Sequence, residues 1–356
     1  GCEFIDTDDT DIIITSRWSN NWTSVIFSLN ESGALNWMTS LPSTYSSCSG
    51  SSSQRAYITP RDLLVHPDSE EVWLTFTVSR INYGCGSGSS YQWQNVNFYD
   101  GSYGILKLHS TTKSINVVKF LGNGLYEMEM VEFENDQILL YGTASSNANG
   151  GKAFQLGSTY WDYGSSDSSR RILYFSVLTT SGGANYTTGA NMSSSCYVHS
   201  MRGVFDGLEF TFFGEYSNIL TTGSCSVLSS TFPSTINSGG IKKFFGTLNF
   251  TNQANNLQID TWRFMGQFGG NSDQYSFITT PDGVVTVAFP ASSFTINSSF
   301  IQLGNVELVI YNFNQSDDFW MASSQSSSSA LASTQEPILY IDNGDMKVAF
   351  RKAGNV

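Results

Sequence analysis

Two stretches of this chain carry the side chains best suited to holding a ligand. Tyr91-Gln92-Trp93-Gln94-Asn95-Val96-Asn97-Phe98-Tyr99-Asp100 and Tyr160-Trp161-Asp162-Tyr163 set aromatic rings among amides and carboxylates. Rings stack on the apolar faces of sugars while Asn, Gln and Asp bond the hydroxyls. Tyr91, Trp93, Phe98, Tyr99, Asp100, Tyr160, Trp161 and Tyr163 are therefore the candidate ligand- or partner-binding residues. The same types anchor protein interfaces, and they also suit loops that pack over their own strands.

Catalytic chemistry has weaker support. His66, His109 and His199 fall in different parts of the pattern, and no Gly-X-Ser-X-Gly, His-Glu-X-X-His or phosphate-cradling glycine loop occurs. Asp100, Asp162, Asp167 and Glu215 could form a carboxylate pair only across separate repeats. This reading predicts no enzymatic activity, no catalytic residues and no cofactor. Asp6-Thr7-Asp8-Asp9-Thr10-Asp11 offers oxygen ligands for Ca²⁺ but lacks the glycine and distal glutamate of the established loop, so ordinary turn chemistry is expected there and no metal site.

Cysteines and sequons carry the remaining side-chain chemistry. Cys48 and Cys85 lie in two long loops on either side of one hairpin, and Cys196 and Cys225 occupy the corresponding two places two repeats later. Disulfides Cys48–Cys85 and Cys196–Cys225 are predicted, clamping Ser/Gly-rich loops with little core of their own. Cys2 is left over. Among seven Asn-X-Ser/Thr sequons, Asn30, Asn185, Asn249 and Asn314 sit in or beside the turn of a second hairpin in four repeats. They are the predicted glycosylation sites, although Asn-rich turns need no glycan to explain them.

The elements that position these residues repeat. Ile12 to Ser19, Val72 to Ser79, Ile138 to Ser145, Leu208 to Ser217, Val284 to Ser292 and Met346 to Phe350 are six versions of one short strand, most of them about 55 to 70 residues apart. Each belongs to a first hairpin, at roughly 3–17, 57–78, 127–143, 197–214, 275–289 and 337–351. A second hairpin follows in five repeats: Val25 to Met38, Gly104 to Leu121, Arg171 to Gly189, Lys243 to Gly266 and Val306 to Ala322. Period-2 alternation bounded by Gly, Asn, Asp and Ser is the strand-and-turn signal. Trp37, Trp262 and Trp320 recur in the second strand of the second hairpin, with Phe120 standing in a fourth. The fold class predicted is all-β: a β-propeller of about six blades of four-stranded antiparallel sheet, one domain over 1–356, its last blade incomplete within this chain. Turns inside hairpins should then share one face, and the long between-hairpin loops the other, where ligands bind.

Ile105-Leu106-Lys107-Leu108 and Asn135-Asp136-Gln137-Ile138-Leu139-Leu140-Tyr141-Gly142-Thr143 resemble the hairpins of the bacterial β-propeller repeat family. The recurrent tryptophans are similar, more distantly, to those of quinoprotein-type propellers, in which an outer-strand Trp docks on the next blade. The resemblance implies the fold and an extracytoplasmic setting, not an activity.

Composition narrows the partners. A net charge of −13, with only 17 Lys and Arg, excludes the basic stripe that nucleic acid needs. No apolar run reaches 18 residues, so no helical membrane span is expected. The chain opens at Gly1-Cys2, as a processed or partial chain would. With 13% charged residues and Ser and Thr at about a quarter of the chain, two readings remain. One is a non-enzymatic extracellular structural subunit of a surface appendage, filament or matrix, self-associating into a polymer or joining neighbouring surface proteins. The other is a lectin-like adhesion module binding glycans through the aromatic loops. Both place the chain outside the cell or at its surface. In the first, strands Ile338 to Ile341 and Lys347 to Phe350 pair with strands that the chain does not supply.

Overall fold

The computed structural model of the chain describes residues 2–7, 11–18, 23–42, 44–45, 54–66, 71–79, 90–109, 111–125, 127–133, 137–145, 153–162, 171–191, 196–205, 209–218, 226–227, 230–231, 242–253, 256–269, 276–279, 285–296, 299–313, 319–325, 338–342 and 345–349. Every regular element among them is a β-strand. The chain divides into two compact units, Gly1–Ser194 with Asn252–Gln258, and Ser195–Thr251 with Ile259–Val356.

In the first unit, β1 (Cys2–Thr7), β2 (Asp11–Trp18), β3 (Thr23–Asn30) and β4 (Leu35–Ser40) form an antiparallel meander. A short pair follows, β5 (Thr44–Tyr45) with β6 (Gln54–Arg55). Next come β7 (Tyr57–His66) and β8 (Glu71–Ser79), then a small hairpin of β9 (Tyr91–Trp93) and β10 (Val96–Phe98), then β11 (Ser102–His109) and β12 (Ile115–Asn123). The second sheet runs β7-β8-β11-β12. After β13 (Glu129–Phe133) and β14 (Gln137–Ser145), the hairpin of β15 (Ala153–Leu156) and β16 (Thr159–Asp162) joins the edge of this second sheet, pairing Gly122 with Leu156. β17 (Arg171–Leu178) and β18 (Ala184–Asn191) complete the third sheet, β13-β14-β17-β18. These are the first three predicted repeats, hairpin for hairpin.

Burial explains why the sheets stack. β3 buries every second residue, whereas β8 is buried from Val72 to Val78. A strand reads as continuously apolar when both faces of its sheet are covered. Val72, Leu74, Phe76, Leu106 and Leu108 pack with Ile13, Ile26 and Trp37 of the first sheet. Trp73, Tyr103 and Ile105, on the opposite face, pack with Met130, Leu140, Ile172 and Tyr174 of the third. The outer-strand Trp37 thus docks on the neighbouring sheet.

The first strands are clasped as well. β7 lies beside both β1 and β13, and all three are edge strands whose outward N–H groups need acceptors. Asp6 Oδ2 accepts the Val65 N–H at 2.6 Å, and buried Asp62 Oδ2 accepts the Met130 N–H at 2.5 Å. One carboxylate per junction satisfies a donor of the next sheet.

The second unit begins with β19 (Cys196–Phe205) and β20 (Glu209–Asn218), followed by the short pair β21 (Ser226–Val227) and β22 (Ser230–Thr231). Then come β23 (Lys242–Gln253), β24 (Asn256–Gly269), β25 (Ser276–Thr279), β26 (Val285–Ile296), β27 (Ser299–Phe313), β28 (Phe319–Gln325), β29 (Ile338–Asp342) and β30 (Asp345–Ala349). Phe212 lies 5.1 Å from Trp262 and 5.7 Å from Phe244, ring centre to ring centre, so this sheet too has an aromatic core.

Two expectations are corrected here. The last three repeats are not separate four-stranded blades but one ten-stranded sheet. The register of β26 with β27 shifts between Ala291 and Ser293, where β27 carries the extra residues; the first half of β26 pairs β25, and its second half pairs Gly266–Gly269 of β24. Likewise, β29 does not wait for an outside strand. It pairs in parallel with β28 through Ser323–Gln325, so that of the two last strands β30 stands at one edge of the sheet, with β19 at the other. No described sheet closes into a barrel or ring.

Candidate functional site

The β9–β10 hairpin turns on Gln94 and Asn95, both left-handed at φ 46° and 64°, which is the two-residue turn matching strand twist. Trp93 pairs with Val96 and Tyr91 with Phe98. Side chains alternate along a strand, so these four share one face while Gln92 and Asn97 share the other. The aromatic face lies on the second sheet. Phe98 is fully buried, its ring 5.5 Å from Phe76 and 6.4 Å from Phe120; Trp93 stands 5.5 Å from Phe76. Tyr91 is buried with its hydroxyl donating to the Pro42 carbonyl at 3.1 Å, and burial raises its pKa well above the ordinary tyrosine range.

The structure divides the candidate ligand-binding group. Tyr91 and Phe98 are core, and Trp93 is partly buried against it. Among the candidates whose side chains are described, Tyr99, 51% exposed, and Asp100 face solvent, as do the neighbouring-strand amides Gln92 and Asn97. The Tyr99 backbone is held by its N–H to Ser102 Oγ at 2.8 Å, and Gly101 takes φ 78° in the turn. One ring with two amides and a carboxylate can stack on a sugar face and bond its hydroxyls. Tyr160 and Trp161 belong to strand β16, with Tyr160 opposite Gln155; Tyr163 lies outside the described residues.

At the opposite ends of the strands, two second hairpins of the first unit share one turn. Asn30 Oδ1 accepts the Ala34 N–H and the Ser32 hydroxyl, and Thr179 Oγ1 accepts the Gly183 N–H; the turn between β11 and β12 is one residue longer, with His109 Nδ1 accepting the Thr111 N–H. Asn30 thus uses its oxygen in the turn and keeps Nδ2, where a glycan would attach, out of it. Asn185 is exposed and is the extra residue of a bulge, since Val177 pairs Tyr186 and Leu178 pairs Ala184. Asn249 is half-buried in β23 opposite Glu209. Asn314, Cys48, Cys85 and Cys225 lie outside the described residues, while Cys196 opens β19 opposite Asn218.

The acidic turn is used internally where it is described. Asp6 accepts the Val65 and Thr7 N–H groups; Asp11 accepts the Ser28 hydroxyl and the Asn36 amide. Among the described residues no group of three or more His, Cys, Asp or Glu is placed to hold a metal ion. No described helix is long and apolar enough to cross a membrane.

No protein-family model matches the chain, and no curated protein sequence matches it. A solved structure that it resembles is the Pyrococcus horikoshii acylaminoacyl peptidase in its orthorhombic crystal form, at 11% identity and TM-score 0.35, over 95% of this chain and 55% of that one. The expectation of a non-enzymatic chain is corrected at this point, because the matching structure bears the name of an enzyme. The physical reason is that missing linear motifs say nothing about carboxylates or hydroxyls brought together from separate strands. At this score the likeness carries no argument for any particular activity.

Proposed function

We propose that this chain is an extracellular structural subunit of a polymeric assembly, built from stacked propeller-type hairpin repeats. The observation that carries the reading is the repeated junction in the first unit. Sheet faces pack on sheet faces through Trp37 and Trp73, and Asp6 and Asp62 clasp successive first strands. Repeats joined this way cannot bury their faces alone and are stabilised by their neighbours. β30 stands at a sheet edge, and such an edge is a template for a further strand. Electron microscopy of the native material tests the reading: ordered polymers are expected, and isolated monomers at high concentration overturn it.

The lectin-like reading is favoured by one group, Tyr99 with Asp100, Gln92 and Asn97. It predicts glycan-array binding that Tyr99→Ala abolishes and that a Trp93 variant affects less.

A further inference from the structure

The second hairpins of the first unit place an asparagine at the same irregular point in each of the three sheets. Ser28 pairs Trp37 and Leu29 pairs Leu35; Lys107 pairs Val117 and Leu108 pairs Ile115; Val177 pairs Tyr186 and Leu178 pairs Ala184. Asn36, Asn116 and Asn185 are therefore the unpaired extra residues of equivalent bulges, and all are exposed. A bulge takes its extra residue out of the ladder and re-aims the side chain. Two of the carboxamides are used locally: Asn36 Nδ2 donates to Asp11 Oδ1 at 2.7 Å, and Asn116 Oδ1 accepts the Ser114 hydroxyl at 2.8 Å. The Asn185 carboxamide makes no hydrogen bond among the described residues. Asn185 also differs from the other two in sequence, since it alone opens an Asn-X-Ser/Thr sequon, with Thr187 as its hydroxyl residue.

We propose that Asn185 carries an N-linked glycan, and that this glycan covers the outer edge of β18. A sugar on this nitrogen displaces no native bond, and the bulge points it away from the ladder. β18 is the last strand of the third sheet, with β17 as its ladder neighbour, and Asn185 is its second residue. The corresponding outer edge of the second sheet is covered by protein: β15 pairs Gly122 and Asn123, and Gln94 Nε2 donates to the Ile115 carbonyl at 3.0 Å. An uncovered edge is a template for strand addition, and a bulky hydrophilic glycan obstructs it.

The transfer joins Asn185 Nδ2 to the anomeric carbon of a lipid-linked oligosaccharyl diphosphate. The bond from that carbon to the diphosphate oxygen breaks, the diphosphate leaves with the electron pair, and the amide gives up one proton to solvent. The sequon is read through the Thr187 hydroxyl. In the closed hairpin that hydroxyl is hydrogen-bonded to Ser176 Oγ at 2.8 Å, so the transfer precedes pairing of β17 with β18. The inference rests on the proposed extracellular role, because such donors act on chains being exported across a membrane.

Intact-glycopeptide mass spectrometry of the full chain from its native source tests the site without fixing the sugar. A glycan on Asn185 in most chains is expected, and an unmodified Asn185 overturns the inference. Asn185→Gln and Thr187→Ala should each remove one glycan from the intact chain, whereas Thr187→Ser should retain it. Circular dichroism of Asn185→Gln should be unchanged, as that side chain is exposed and outside the ladder. Thioflavin-positive aggregation on mild heating should be several-fold faster for Asn185→Gln than for the glycosylated chain, and equal rates overturn the covering role. Ordered polymers by microscopy with a bare Asn185 sink the site and leave the structural role standing; a glycan on Asn185 of chains that stay monomeric does the reverse.

Discussion

Replacing Asp62 with Ala tests the junction on which the stacking argument depends. Asp62 is 8% exposed and Met130 is 7% exposed, so neither the carboxylate nor the N–H it holds has ready access to water. A hydrogen bond to a charged group contributes about 1.5–3 kcal/mol, and an orphaned buried N–H costs about 1–3 kcal/mol. These describe one loss seen from two sides, so the expected cost is about 2–3 kcal/mol rather than their sum. Asp62→Asn keeps an oxygen acceptor and loses only the charge assistance, about 1 kcal/mol.

The assay that isolates this bond is native-state hydrogen exchange at the Met130 amide, since global unfolding of a two-unit chain need not be two-state. At 1.4 kcal/mol per decade, Asp62→Ala should speed Met130 exchange roughly 30- to 150-fold, and Asp62→Asn about fivefold. Asp6→Ala should act on Val65 in the same way but more weakly, because Asp6 is half-exposed. Unchanged Met130 exchange in Asp62→Ala would mean that β7 and β13 are not side by side, and the stacked-sheet account would fail with it.

Further outcomes follow from the same packing. Gly104→Ala would set a methyl carbon 2.7 Å from carbons of both the Phe76 and Phe98 rings; a loss of about 2 kcal/mol is expected in chemical denaturation, and a neutral result would mean those rings are loosely held. Tyr91, Tyr174 and Tyr216 have pKa values raised by burial, Tyr174 also by neighbouring Tyr103, Glu127, Glu129 and Tyr141. The folded state therefore keeps protons that the unfolded state releases above pH about 10, so stability is intact below that pH and falls as pH rises past it. Tyrosinate absorbance should show three late residues ionising together with unfolding, whereas a smooth non-cooperative titration would place them in water. Non-reducing peptide mapping should find Cys48 joined to Cys85 and Cys196 to Cys225, and free thiols at all four would remove the main support for an extracellular setting.

Hairpin pairing was legible in the sequence because it is local. Alternating apolar residues and Gly, Asn or Asp turns fix which strand lies beside which, and the first three sheets follow that pattern strand for strand. Which side a residue faces was much less legible, because a bulge shifts parity by one. In Leu35-Asn36-Trp37-Met38 strict alternation puts Leu35 with Trp37; the bulge at Asn36 instead buries Trp37 and turns Leu35 outward beside Met38. Bulges recur at Asn116 and Asn185 in the equivalent strands. The aromatic stretch was visible as a cluster, but the hairpin turn at Gln94-Asn95 decides that Tyr91 and Phe98 face the core and the amides face water. Long-range joins, β15 onto β12 and β26 onto β24, leave no local signal.

Sheets offer partners two kinds of surface, edges and faces, and the first unit treats them differently. Edge donors at Val65 and Met130 are consumed by carboxylates from the preceding sheet, and the outer edge of the second sheet is taken up in part by β15. A strand arriving from another molecule would have to displace a charge-assisted bond at each of the first two places, which guards against indiscriminate strand addition. A face contact breaks no such bond, because it removes apolar side chains from water and leaves the ladders intact.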